Sequence, residues 1–496
     1  MYSQRLGLIL ACLSLLSLSF SCNENAFGVG VFLDGDTDAD GGADECVLQP
    51  DSATRCWLDG SLNGSIVNPS CPSDMPTTLT GVVTIPAGTL PVANARVYIA
   101  GTPAPDDATA PSNLEPIVHG ATCTGCDQLV PADAVASALT DVGGRFTLTG
   151  VPYPPDGKAM YLVIRLGKWR RAVRIENSDS QAAGVAKLSR CATTTLDKSM
   201  TRLPRTQSEG DIPRIALSTG SADALECLLR GPKLGLADSE FTTENGKGSV
   251  NLYAGNGTAQ FNKTLGGARF TAAQKVPTPS WWDTQANWNK YDAVLLSCEG
   301  DPNYSTKSVT ARANLQTYIN QGGRVLAMHW HNGWMEMGPA PLSKVASFAQ
   351  KPANPVLNNG TASVDIVTSF RKGGELKQWL ANASALTSQG QLLLKGAKNT
   401  ILTLNTRVAQ PWLTFGSGSS LVYQYFTFRA PIGVEPSSQC GEMAFTDLQA
   451  STGVGDTSGP GIYFPDGCRT TSMAPQEEAL IYMLLDLTSC LPGATL

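Results

Sequence analysis

Two short apolar runs, Ala293–Leu296 and Val325–Met328, constrain this chain more than any other feature in it. Each is uninterrupted and bounded by polar residues. Runs of that kind suit strands buried on both faces, as in a parallel sheet. Between them, Ser308 to Asn320 places Val309, Ala313, Leu315, Tyr318 and Ile319 on one helical face. Gln321-Gly322-Gly323 ends that helix, because glycine takes a left-handed cap without steric penalty. Strand, helix, cap and strand make a right-handed βαβ unit. Ligands of such sheets gather beyond the carboxyl ends of the strands. At that edge the first run is followed by Cys298, Glu299 and Asp301, and the second by His329, Trp330 and His331.

These residue types support several chemistries. His329 and His331, with a carboxylate from Glu299, Asp301, Glu336 or Asp223, form a set that holds a divalent metal with open positions. The same set does acid–base work near neutral pH. Cys298 beside His329 is a nucleophile pattern. The alternative is a polar rim in which the histidines hydrogen-bond structurally while Trp330, Trp334, Met335 and Met337 pack. Trp281, Trp282 and Trp288 are either faces for stacking on sugars or plain core. His329 and His331 are the candidate metal ligands, no residue is assigned as catalytic, and no other cofactor is expected.

The stretch YDAVLLSCEGD, followed by LQTYINQGGRVLAMHWHNG, resembles the ThuA-like branch of the class I glutamine amidotransferase superfamily over roughly residues 212–490. The resemblance implies a flavodoxin-like domain with a mainly parallel sheet, in which the strand after Gly-Gly ends in His329. Cys440 to Asp447 is similar to the family's closing strand, which adds Asp447 to the candidate pocket of Cys298, Glu299, Asp301, His329, Trp330 and His331. The family's closing strand runs into Gly-His, where this chain has Leu448-Gln449. Amidotransferases carry a nucleophilic cysteine after the Gly-Gly strand; Met328-His329-Trp330 stands there instead, which disfavours glutaminase chemistry.

Upstream, residues 76–178 alternate in the manner of half-buried strands, as in Thr78-Leu-Thr-Gly-Val-Val, Ala95-Arg-Val-Tyr-Ile-Ala and Tyr161-Leu-Val-Ile-Arg-Leu. Their spacing predicts an antiparallel sandwich. The order TGVV…ARVYI…TDVGGRFTLTGVP is similar to the carboxypeptidase regulatory-like domain, a transthyretin-type sandwich. The expected fold is therefore multidomain, a β-sandwich followed by the α/β domain. Residues 179–211 read as a linker. Ile212 opens the sheet of the last domain, with Ser221 or Asp223 capping a helix from Ala224. Pro475 to Leu487 closes it as a helix.

The N-terminus bears on the compartment. Arg5 precedes an apolar run, Leu6 to Phe20, and then Ser21-Cys22, so residues 1–21 read as a secretory signal and Cys22 as a lipidated first residue. Residues 22–75 read as an acidic, Gly/Asp-rich tether. Thirteen cysteines suit an oxidising compartment, and a net charge of −6 leaves no footprint for nucleic acid. Removing Cys12 with the signal and Cys22 with the lipid leaves an odd count, and Cys298 is the candidate for the unpaired thiol. Cys123 with Cys126 is expected to close an insertion in the sandwich, and Cys440 with Cys468 and Cys227 with Cys490 are the other pairings considered.

Two readings of function follow. In one the chain is a cell-envelope lipoprotein, of the outer membrane or secreted, held to the membrane only by its lipid and serving as a non-catalytic module for a glycan or protein ligand. The whole chain resembles a group of myxobacterial surface lipoproteins with this domain order, a resemblance that brings no reaction with it. In the other it is a hydrolase or other enzyme acting on a carbohydrate or small molecule at the His329/His331 site, with or without a metal.

Overall fold

The sandwich strands form where alternation predicts them. In the computed structural model β1 (Thr78–Val82), β2 (Arg96–Ile99), β3 (Ala136–Leu139), β4 (Arg145–Thr149), β5 (Met160–Leu166) and β6 (Trp169–Asn177) precede β7 (Ala186–Leu188), β8 (Thr193–Thr195) and α1 (Lys198–Thr201). One sheet has the order β4-β1-β8 and the other β3-β2-β5-β6-β7. The structure describes residues 71–72, 75–100, 114–123, 125–132, 134–154, 158–220, 222–254, 281–349, 356–450 and 464–491. The signal, the Cys22 lipidation site and nearly all of the tether lie outside them. The segment expected to be a linker instead supplies β7 and β8, which pair in parallel with β6 and β1. Three-residue strands carry too little periodicity to be seen from sequence.

The second system is a 10-stranded sheet with the order β10-β11-β9-β12-β13-β20-β19-β18-β15-β16. It is built from β9 (Ile215–Thr219), β10 (Phe241–Thr242), β11 (Val250–Ala254), β12 (Ala293–Leu296), β13 (Arg324–Met328), β15 (Thr361–Ile366), β16 (Leu392–Lys395), β18 (Ala409–Phe415), β19 (Val422–Ala430) and β20 (Gly441–Thr446). β14 (Ala346–Phe348) and β17 (Ile401–Leu404) pair separately. The strands from β10 to β20 in that order run parallel, and β19, β18, β15 and β16 extend the sheet antiparallel. The sheet is thus mixed, with a parallel core. Its helices are α2 (Leu225–Leu229), α3 (Gln285–Trp288), α4 (Val309–Asn320), α5 (Gly333–Glu336), α6 (Arg371–Asn382) and α7 (Pro475–Leu487).

The central unit has the predicted order β12, α4, β13, with Ala293 paired to Arg324 and Leu296 to Ala327. The buried face of α4 is Ala311, Arg312, Leu315, Tyr318 and Ile319; Val309 and Ala313, assigned to it by sequence, are exposed. Gly322 ends the helix with φ +105°, as a left-handed cap requires. A Cβ there would also lie 2.4 Å from the Thr122 backbone, so this glycine admits the sandwich insertion to the sheet. α2 has no side-chain cap: its Leu225 N–H donates to Ser297 Oγ at 3.3 Å, and Asp223 accepts from Ala450 N–H at 2.9 Å. Ser221 lies outside the described residues.

Sandwich and α/β domain share one apolar cluster, from Leu79, Val97 and Ile164 through Leu203 and Leu234 to Leu217, Leu228 and Met483. Residues Asp44–Leu496 form one compact unit, and Met1–Ala43, the other unit, lies outside the described residues. Covalent bonds reinforce the junction. The described disulfides are Cys71–Cys191, Cys123–Cys440, Cys126–Cys490 and Cys227–Cys468. All six cysteines given partners by sequence are bridged, but with other partners: Cys123 and Cys126 do not join each other, Cys440 does not join Cys468, and Cys227 does not join Cys490. The insertion crosses to the amino edge of the 10-stranded sheet, so its two cysteines face that domain rather than each other. Four bridges fit an extracytoplasmic protein. Among the described residues no helix is long and apolar enough to cross a membrane.

Candidate functional site

At the carboxyl edge of β12 and β13 the structure joins part of the expected constellation. Cys298 Sγ lies 3.2 Å from His329 Nδ1, and the Gly300 N–H donates to the sulfur at 3.4 Å. His329 has φ +44°, in the left-handed region. For a residue other than glycine that conformation costs about 1–2 kcal/mol, and it turns the imidazole back over the end of β12. The His329 and Trp330 rings stack tilted, with centroids 4.7 Å apart. Cys298 is fully buried, and His329 and Trp330 nearly so. Burial pushes the Cys298 thiol up to about 12, and the nearby Asp223 carboxylate adds to the shift. At neutral pH the sulfur is a thiol, the unreactive form.

His331 plays a separate part. Its Nε2–H donates to the Ser297 carbonyl at 2.7 Å, and its Nδ1 accepts from the Trp334 indole N–H at 3.1 Å. An indole only donates and a carbonyl only accepts, so these two bonds set the tautomer. Burial lowers the imidazole to about 4, and it is neutral at neutral pH. Neither nitrogen has a lone pair left for a metal, so the reading of His331 as a metal ligand is corrected. Among the described residues no group of three or more His, Cys, Asp or Glu is placed to hold a metal ion.

The carboxylates divide as well. Glu299 accepts from Lys307 Nζ at 3.0 Å and Asn303 Nδ2 at 2.9 Å, and lies 3.9 Å from His331 Nε2. Burial works against its charge, but His331 in its protonated form, Lys307 and the hydrogen bond from Asn303 outweigh burial and hold it below the ordinary carboxylate value. Lys307 also lies over the Trp334 ring, 5.9 Å from its centroid. Asp301 is exposed and accepts from the Asn303 N–H at 3.3 Å in a local turn. Asp447 accepts from the Thr400 N–H at 2.7 Å and from the Thr400 hydroxyl, and burial raises it to about 6. It holds the segment before β17. Glu336 accepts from the Tyr304 hydroxyl at 2.8 Å and from Asn332 Nδ2 at 3.3 Å. Lys307, Asn303, Tyr304 and Asn332 belong to this edge but carry no sequence signal, since their partners are set by how the loops after β12 and β13 meet.

The crevice beyond β9 and β12 is where a parallel sheet of this kind would receive a ligand. Here the two loops touch directly. The Ala222 N–H donates to the Cys298 carbonyl at 3.0 Å, and a Cβ on Gly220 would lie 2.0 Å from that oxygen. Upstream, Trp282 and Trp288 are buried in a ring cluster with Trp334 and Tyr318, and Trp281 alone of the three is partly exposed. Trp282 and Trp288 are core, with no face open to a sugar.

No protein-family model matches this chain, and no curated protein matches it. Among solved structures, the crystal structure of a 9R-lipoxygenase from Cyanothece PCC8801 matches 26% of this chain at 15% identity, with a TM-score of 0.13. The match spans 17% of that lipoxygenase, and likeness of this degree transfers neither fold nor activity.

Proposed function

We propose that the protein is a disulfide-stapled surface module of the cell envelope that binds a glycan or protein ligand and does no covalent chemistry at the ends of β12 and β13. The observation that carries this reading is the state of Cys298: fully buried, a thiol up to about pH 12, and roofed by the loop after β9. The bridges support an oxidising compartment, and Ser21-Cys22 supports a lipid anchor as the sole membrane attachment. Setting aside the two-residue β10, the parallel strands follow the order 2-1-3-4-5, which supports a flavodoxin-like, ThuA-like reading of the α/β domain. The paired sheets of residues 78–195 support a carboxypeptidase regulatory-like sandwich.

The rival reading, an enzyme using Cys298 as nucleophile, rests on the 3.2 Å approach of His329 Nδ1. Thiol alkylation before and after unfolding, read by peptide mass, separates the two. Labelling of Cys298 only after unfolding is expected; rapid labelling of the native protein would establish a reactive thiolate and end the non-catalytic reading. The anchor is tested apart from the site, by fractionation: the Cys22→Ser variant is expected to leave the membrane fraction.

A further inference from the structure

The opposite edge of the same sheet holds a cavity of about 20 Å³, where the β5–β6 turn of the sandwich meets the start of β12, the start of β13 and the end of α7. Room of that size holds one water or one ion of similar radius. Lys168, Arg324 and Asp292 are the charged groups that line it.

Asp292 is fully engaged. It accepts from His119 Nδ1 at 2.7 Å, Gly120 N–H at 2.7 Å, Lys168 Nζ at 2.6 Å and Arg214 N–H at 2.6 Å. The cations are not. Lys168 Nζ gives two of its three hydrogens, to Asp292 and to the Gly120 carbonyl at 2.6 Å. Arg324 is 6% exposed; its Nη2 reaches the Ser489 carbonyl at 3.4 Å, and its buried Nη1 has no hydrogen-bond partner among the described residues. A buried guanidinium nitrogen without an acceptor is destabilising, so this arrangement calls for an acceptor at the cavity.

Charge points the same way. Lys168 and Arg324 against Asp292 leave the lining one positive charge in excess. The next ring does not remove it. Glu442 lies opposite Arg324 and Arg429 in the strand register and Asp486 forms an ion pair with Lys372 at 2.7 Å, so the two carboxylates of this ring are matched in number by Arg429 and Lys372. Burial lowers Lys168, Asp292 opposes that, and Arg324 adds to the lowering, so the two cations feel one another across the gap.

We propose that a single monovalent anion of chloride size binds in this cavity between Arg324 Nη1 and the third hydrogen of Lys168 Nζ. The ion closes the charge balance at the junction and holds the sandwich turn on the sheet. A water would satisfy the hydrogen bonds but leave the charge.

The test uses the full chain at constant ionic strength, with chloride exchanged for gluconate, which is too large for the cavity. Thermal unfolding should rise by about 3 °C or more as chloride passes through its binding range. Lys168→Met and Arg324→Met should lose this chloride dependence; should Arg324→Met fail to fold, Lys168→Met alone carries the comparison. Anomalous diffraction from crystals grown in bromide should place one peak within hydrogen-bonding distance of Arg324 Nη1. A chloride-independent wild-type midpoint, a chloride response retained in Lys168→Met, or density at this position without an anomalous signal would each overturn the proposal.

Discussion

The two edges of the parallel sheet look alike in composition and differ in state. The carboxyl edge carries Cys298, His329, His331 and Asp447, the residue types of metal and nucleophile sites. Each of them is buried, and those whose hydrogen bonds are resolved have them satisfied within the α/β domain. The amino edge carries Asp292, Lys168 and Arg324, which form no recognisable motif. Yet it joins two domains, it has a cavity, and one guanidinium nitrogen there lacks an acceptor among the described residues. Residue type sets which chemistry is open to a side chain. Access and unused bonding capacity decide whether that chemistry is available.

The contrast breaks most readily at Asp292. Asp292→Ala would strip an acceptor from His119, Gly120, Lys168 and Arg214 at once. Removing one member of a buried charged network costs about 3–5 kcal/mol, to be read as a shift in the urea midpoint at unchanged slope. A loss under about 1 kcal/mol, the range of exposed pairs, would mean that the amino edge does not bind the domains together.

His331 sharpens the other side. His331→Ala leaves the Ser297 carbonyl and the Trp334 N–H unpaired and opens a void, for an expected loss of about 3 kcal/mol at pH 7. That loss should depend on pH. The folded imidazole sits near 4 against an ordinary 6.5, so its contribution is complete above about 6.5 and disappears as pH falls toward 4. Asp447 runs in the opposite sense: burial holds it near 6 against 3.8, and its penalty is relieved over much of the same window. The wild-type profile should therefore be shallow as far as these two groups determine it. The gap between wild type and His331→Ala should close by about 3 kcal/mol between pH 7 and 4. A gap that stays constant would show an exposed or charged imidazole.

Cys298→Ala is expected to have the smallest effect, about 1–2 kcal/mol from a lost sulfur in a packed site. Ligand binding, once a ligand is found, should survive this substitution. A variant that folds normally but loses an activity of the wild type would move Cys298 from packing to chemistry.

Much of the architecture was legible in the chain. The apolar runs at 293–296 and 325–328, the helix between them, the Gly322 cap and the hairpin of β5 and β6 all appear where periodicity and turn chemistry place them. So does the unpaired thiol, since Cys298 is the free cysteine among the described residues. The buried face of α4 was misassigned at Val309 and Ala313. The antiparallel extension by β19, β18, β15 and β16 was not anticipated, because strand pairing across long intervals leaves no local mark.

The sequence by itself determined the local elements, and its cysteine content pointed to an oxidising compartment. Period, glycine positions and cysteine count are read along the chain. Only the tertiary structure decided the disulfide partners, the strands at 186–188 and 193–195, and the fate of the strand-end residues. Cys123 finds Cys440 at a separation of 317 residues, and Cys126 finds Cys490 at 364. Whether His331 could take a metal depended on a carbonyl 34 residues away and an indole 3 residues away arriving at its two nitrogens. A hydrogen bond is satisfied by whatever lies within reach in space, and sequence separation does not specify that distance.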